Sequence, residues 1–311
     1  MIKHKEKNFI SVIVYIHNHE YYVEEFFAGI VDLLELYFEK FEIIFVNDES
    51  KDGSKQTIKQ LSSNYNNLTL SIIDLSFYHG LETAILAGVD IAIGDFIFEF
   101  DSPIVDYSFY EVMSIYNKAL EGYDIVSASP DKKEKMFSHI FYQLFQRFSS
   151  NNLRLYSETF RVLSRRAVNR VNILNEHIPY RKAIYFNCGL KAVNLRYVPQ
   201  KRKDVINSNR FREKSQLAIN ALIIFTDLSS KISIIMAFLM LIFSIGVGIY
   251  TAITFFTYRN VVEGWTTTML FLSFAFTGLF SLIALLIKYL SMLLNFHFKK
   301  QSYVLESIEK I

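Results

Sequence analysis

The stretch IIFVNDESKDGS, residues 43–54, passes from an apolar run into a cluster of carboxylates and hydroxyls that ends in a glycine and a serine. An unbroken apolar run of this kind reads as a strand buried on both faces, as in parallel sheets. In open α/β sheets, ligands bind beyond the carboxyl ends of such strands. A second stretch, GDFIFEFDSPIVD at residues 94–106, has the same form. It differs in one respect. Pro103 stands two positions after Asp101, where a second carboxylate would be useful.

Working outward, apolar runs alternate with segments of helical periodicity. Strands are predicted at 11–16, 41–48, 68–75 and 95–101, and helices at 21–41, 54–65, 80–94 and 108–122. This alternation predicts a mostly parallel, helix-covered α/β sheet. Neither GxGxxG nor GxxxxGK[ST] follows the first strand, which disfavours a dinucleotide fold of the usual type and a P-loop nucleotidase. Turns ending in Asp and Asn instead suit ribose hydroxyls and metal-bound phosphates.

The chain has 311 residues and a net charge of +2, so composition makes no case for nucleic acid. Its single cysteine, Cys188, leaves no internal disulfide framework and no multi-thiolate zinc site. The polar start MIKHKEKNFI, running straight into SVIVYI, argues against a secretory leader. The 29 phenylalanines and a charged share of only 21% point to membrane contact. Residues 232–256 and 264–287 carry no charge, and each exceeds the roughly 20 residues a helix needs to cross a bilayer. Tyr258 and Trp265 in the loop between them are candidate interfacial anchors. Arg210, Arg212 and Lys231 precede the pair and Lys288, Lys299 and Lys300 follow it, while Arg259 is the only basic residue of the loop. The positive-inside rule then puts the N-terminal domain and the C-terminal tail in the cytoplasm. The expected organisation is an α/β domain at 1–208 containing an interfacial helix at 136–148, a juxtamembrane amphipathic helix at 209–230, a transmembrane hairpin at 231–295 and a tail at 296–311.

The segments SVIVYIHNHE, FVNDESKDGS, LSFYHGLETAILAGVDIAIGD, FEFDSPIVD, ETFRVLSRRAV and QKRKDVINSNRF, in this order, resemble the family 2 glycosyltransferases of the polyprenyl-phosphate type. That group includes dolichol-phosphate mannose synthase and the bactoprenol glucosyltransferases. The resemblance implies a GT-A-type nucleotide-sugar domain followed by interfacial helices and two transmembrane helices. It implies inverting transfer of a hexose from a UDP- or GDP-sugar to polyprenyl phosphate at the cytoplasmic face of a bacterial inner membrane, with a homo-oligomer as one expected assembly. The QxxRW motif of processive members is absent, which points to transfer of a single sugar.

By the same resemblance, Asn18, Asn47, Asp48 and Asp52 bind the donor. Asp101 matches the first aspartate of the family's DxD motif, so Mg²⁺ or Mn²⁺ is the implied cofactor, with Asp106 a stand-in ligand or a cap for the next helix. Arg161 and Arg202, counted with Asp101 as catalytic, would grip the lipid phosphate, with Ser208 and Arg210, or the donor diphosphate. Arg165 and Arg166 read either as part of that site or as a solvated helix start, and Glu158 lies one position from a family acid. His177 and Cys188 read as structural. The departures cluster at the donor side: Pro103 and Val105 in the metal motif, Tyr78 for an asparagine, Leu81 for a lysine, Tyr15 for a proline and His19 for an acid. Only Lys132, Lys133 and Lys135 offer positive charge where an arginine-bearing stretch is usual. The metal site is therefore expected to be weakened. A relative that binds lipid phosphate or a partner without turnover is the alternative to an active enzyme.

Overall fold

The computed structural model describes residues 5–65, 68–131, 158–174, 181, 184–185, 188–200 and 303–311, with scattered helical positions between 235 and 293. The chain divides into two compact units. One comprises Met1–Gln146, Leu153–Ala218 and Gln301–Ile311; the other comprises Arg147–Asn152 and Ile219–Lys300.

The first unit carries a single eight-stranded sheet. In chain order its elements are β1 (Ile10–Ile16), α1 (Glu20–Tyr37), β2 (Phe41–Asp48), α2 (Ser54–Ser62), β3 (Thr69–Leu75), α3 (Leu81–Ile91), β4 (Phe96–Phe100), α4 (Phe109–Leu120), β5 (Ile125–Pro130), β6 (Phe160–Ser164), α5 (Arg165–Leu174), β7 (Ala192–Tyr197) and β8 (Leu305–Lys310). The strand order is β7-β5-β6-β4-β1-β2-β3-β8. β4, β1, β2 and β3 run parallel, as the alternating pattern predicts. β6 is antiparallel to both its neighbours, and β8 is antiparallel to β3. β1 and β4 are enclosed on both sides of the sheet. Val12, Val14, Phe98 and Phe100 enter one core with α1 and α4, whereas Ile13 and Ile97 enter the other with α3. This two-sided burial explains why these strands read as unbroken apolar runs.

Element ends shift by a few residues from the sequence reading, and two differences have a clear physical reason. Helical periodicity carries α1 through Phe41, but Phe38 is extended at φ −122° and its N–H closes on Leu34 O, ending the helix at Tyr37. The expected tail at 296–311 contains an edge strand, because alternating LESIEK meets the open side of β3. Within the second unit the described residues are helical, and Phe243 packs on Phe271 and Phe274. Among the described residues no helix is long and apolar enough to cross a membrane. Most of the two uncharged stretches, the interfacial segment 136–148 and the juxtamembrane segment 209–230 lie outside the described residues.

Candidate active site at the strand ends

The turns after β1, β2 and β3 meet at the carboxyl edge of the sheet. Asp48, the last residue of β2, is fully buried. Its carboxylate accepts the N–H groups of His79 and Gly80, each at 2.8 Å, and the Tyr15 hydroxyl at 3.1 Å. Burial, reinforced by Asp48, pushes the Tyr15 phenol far above its ordinary value, so it remains a donor. Gly80 sits at φ 84°, ψ 161°, a region that side chains essentially exclude. Asp48 thus holds a glycine-dependent turn in place. Asn47 donates to Asp74 at 2.8 Å and accepts Ser50 N–H at 3.2 Å. Asn18, at φ 56°, accepts Lys51 N–H at 2.8 Å, a left-handed conformation that asparagine tolerates. His17 Nδ1 lies 2.6 Å from Asp48 O. A carbonyl can only accept, so Nδ1 carries the proton and Nε2 is left to accept from Asn18 Nδ2 at 3.1 Å. On the open side stand Phe77 and Tyr78, with Tyr78 packed on His17 at 4.7 Å between ring centroids.

Asp52 ties two helix starts together. It accepts Glu20 N–H at 3.0 Å and Ser54 N–H at 3.1 Å, as well as the Ser54 hydroxyl. In return Glu20 accepts Gly53 N–H at 3.0 Å. A Cβ on Gly53 would stand 2.4 Å from Glu20 Oε1, so a larger residue would displace that carboxylate. Burial works against the Asp52 charge, but the Ser54 hydroxyl and these N–H groups outweigh it and hold the carboxyl below its usual range. Asp52→Ala is expected to cost about 1–2 kcal/mol in unfolding experiments, as for other capping carboxylates. Because the folded-state value is depressed, this contribution is present above about pH 4 and fades as pH falls through the folded-state value. The difference between wild type and variant should therefore shrink on acidification. A difference that grows would contradict the assignment.

The second acidic turn follows β4, where the antiparallel register sets Glu99 opposite Arg161 of β6. Arg161 is fully buried. Its Nη1 lies 3.1 Å from Glu99, its Nη2 3.2 Å from Asp101 and its Nε 3.1 Å from Glu158, the last without hydrogen-bond alignment. Burial alone would lower this guanidinium's pKa, but Asp101, Glu158 and Glu99 more than reverse that. Arg181, also buried, reaches Glu99 at 3.2 Å and Asp101 at 3.3 Å, and its N–H donates to Glu82. Tyr185 donates to Glu99 at 2.6 Å. Burial and the Glu99 charge keep that phenol protonated. Four carboxylates thus surround two guanidinium groups, and every member except Asp101 is shielded from solvent.

The expected residues divide as follows. Asn18, Asn47, Asp48 and Asp52 come together as the framework of the first turn. Asp101 and Arg161 come together in the second. Asp106 is turned to Tyr197, whose hydroxyl donates to it at 2.8 Å, and Ser108 rather than Asp106 caps α4. Val105 is buried in the core. Arg165 does more than begin a helix: its guanidinium donates to Ala92 O and Gly94 O, beyond the end of α3. Arg166 pairs with Asp124. Cys188 is buried and donates to Tyr185 O. Arg202, Ser208, Arg210, His177, Lys132, Lys133 and Lys135 lie outside the described residues.

The described side chains around Asp101 do not by themselves assemble a site for a divalent cation. Pro103 offers no ligand, Asp101 Oδ1 is shared by two arginines and Asp106 is engaged by Tyr197. Among the described residues no group of three His, Cys, Asp or Glu side chains is placed to hold one. Arg181, Glu82 and Tyr185 were not anticipated. The available signal was Glu99, a charge inside an apolar strand that had to find a partner.

The mostly parallel α/β sheet with two acidic turns at its carboxyl edge is a GT-A fold. The chain belongs to glycosyl transferase family 2, whose model matches residues 11–178. An uncharacterized glycosyltransferase of Synechocystis is 30% identical over 58% of this chain, and the match spans 58% of that relative's own length. The bactoprenol glucosyl transferase of Shigella phage SfV is 25% identical over 89% of this chain and 90% of its own. Among solved structures, glucosyl-3-phosphoglycerate synthase from Mycobacterium tuberculosis, in complex with Mn²⁺, UDP and phosphoglyceric acid, superposes with a TM-score of 0.50 at 18% identity. The match covers 69% of this chain and 78% of that one. The mannosyltransferase from Pyrobaculum calidifontis in complex with GDP-mannose and Mn²⁺ also gives 0.50, at 14% identity, over 68% and 61%. Both structural likenesses bear on the fold alone.

Proposed function

We propose that the protein transfers a hexose from a nucleotide diphosphate sugar to polyprenyl phosphate. The similarity to the phage bactoprenol glucosyl transferase carries this reading, because it runs over 89% of the chain, well beyond the family domain. In the reaction a phosphate oxygen of the lipid attacks the anomeric carbon, the bond from that carbon to the nucleoside diphosphate breaks, and the configuration inverts. The acceptor is already ionised at neutral pH, so the barrier lies in the charge that grows on the leaving diphosphate. The first turn, braced by Asn47 and Asp48, forms the floor of the donor site. Asp101 is oriented there by Arg161 and Arg181. Nη1 of Arg181 is buried without a hydrogen-bond partner among the described residues. Arg161 acts through Asp101, while Arg202, Ser208 and Arg210 are assigned to the acceptor phosphate.

The protein is further proposed to be an integral membrane protein with its catalytic domain on the cytoplasmic side. β7 and β8 belong to one sheet, so the chain between them crosses any bilayer an even number of times. Exposed Ile235, Leu239, Ile242, Leu272, Leu286 and Leu290 suit a lipid-facing surface.

A second reading, binding without turnover, is favoured by the pairing of Asp101 with two arginines beside Pro103. The two separate in one assay. Purified protein is incubated with undecaprenyl phosphate in membranes, radiolabelled UDP- and GDP-sugars, and either Mg²⁺, Mn²⁺ or EDTA. The transfer reading expects lipid-soluble label from at least one donor, and none from any donor removes it. Asp101→Asn is expected to lower the rate at least tenfold, and an unchanged rate takes Asp101 out of the site.

A further inference from the structure

The strand β8 lies on the edge of the sheet, yet its contacts run toward the donor turn. Val304, just before the strand, makes two links to the loop that follows β3. Its carbonyl accepts Ser76 N–H at 3.1 Å, and its own N–H donates to His79 Nε2 at 3.1 Å. The other ring nitrogen of His79 contacts Phe77 O, so Nδ1 holds the proton and Nε2 is free to accept. The Phe77 ring stacks on the same imidazole at 4.1 Å. His79 then presents its backbone N–H, with that of Gly80, to the buried carboxylate of Asp48.

A second route reaches Asn47. Ser307 donates to Asp74 at 3.0 Å, and Lys55 bridges Asp74 and Glu309 at 2.7 and 2.8 Å. The other oxygen of Asp74 accepts from the Asn47 amide. Each residue of the Asn47–Asp48 pair is therefore one hydrogen bond away from a group that this terminal segment holds.

We propose that residues 304–311 are a working part of the donor site, with His79 the positioning residue through which Val304 fixes the turn that Asp48 holds. The proposal rests on the reading of this turn as the nucleotide-sugar site. It assigns the segment a role in donor affinity and none in the transfer step. Removing the Val304 N–H leaves the imidazole without its outer anchor and the 76–80 turn free to shift. A net hydrogen bond contributes roughly 1 kcal/mol, about fivefold in affinity.

The test uses the full chain carrying Val304→Pro, which deletes the N–H and retains the carbonyl that Ser76 uses. Tyr303→Phe serves as a neighbouring control that loses only the hydroxyl contact to Asp90. UDP and GDP affinities are measured by calorimetry, thermal midpoints by circular dichroism, and KM and kcat wherever transfer is detected. The expected result is affinity for the bound nucleotide weakened about fivefold in Val304→Pro, with KM raised in step, kcat within twofold and the midpoint within a few degrees of wild type. Tyr303→Phe should stay within twofold throughout. Equal affinity in Val304→Pro and wild type overturns the proposal, as does a wild type that binds neither nucleotide. If Val304→Pro does not fold, His79→Phe, which keeps an aromatic ring beside Phe77 and removes both ring nitrogens, is held to the same expectations. Nucleotide binding that responds as expected in a protein without transfer activity would leave the proposal standing and remove the transfer reading.

Discussion

Replacing Arg161 with methionine is expected to remove about 3–5 kcal/mol of stability, the usual cost of breaking a buried ion pair from one side. The physical reason is the company it keeps. Glu99 and Glu158 have almost no solvent exposure, and Asp101 little more. With the guanidinium gone, Arg181 is the arginine left beside Glu99, Asp101 and Glu82. At least one of them must take a proton or draw in water, and either change loosens the β4–β6 pair. Adding Glu99→Gln to the same variant should return about 1–3 kcal/mol, since it deletes a charge that no longer has its cross-strand partner. Urea unfolding of the full chain in detergent reads both differences. A single variant within 1 kcal/mol of wild type would mean that the network contributes orientation but little stability.

Asp48→Ala is expected to weaken nucleotide binding at least tenfold. Three donors converge on that carboxylate, two of them backbone N–H groups. Hydrogen bonds to a charged group contribute about 1.5–3 kcal/mol each, and Gly80 is held in a conformation that relaxes once its anchor is lost. Amide exchange at His79 and Gly80 should accelerate by an order of magnitude or more in the variant, whatever the donor sugar proves to be. Unchanged exchange at both amides would show that the turn is held by other contacts, and the affinity loss should then disappear too.

Much of the fold was legible because β1, β2, β3 and β4 are enclosed on both faces and announce themselves as apolar runs ending in polar turns. FEIIFVND was read as a strand over the same residues that form β2. The first turn was legible as a cluster but not as a mechanism of support. Asn18, Asp48 and Asp52 suggest ligand contacts in the sequence, whereas in the fold they first satisfy one another's loops. The second turn was legible only in part. Asp101 and its neighbour Pro103 are adjacent on the page, but Arg181 is 80 residues away from the carboxylate it meets. No local period marks such a partner. β8 was illegible for a related reason: LESIEK alternates weakly and is mostly exposed, and its conformation comes from the edge of β3 rather than from its own side chains.

The pairing of Ser71 with Lys310 also fixes an order of events during synthesis. β3 leaves the ribosome early, but its outer edge stays open until more than two-thirds of the chain has followed. Contacts of such sequence separation form late and slowly, and an open strand edge invites pairing with other chains. The nascent protein therefore passes through a stage in which seven strands can assemble while the eighth is still being made. Agents that shorten or mask residues 303–311 should raise aggregation during expression before they alter the properties of protein already folded.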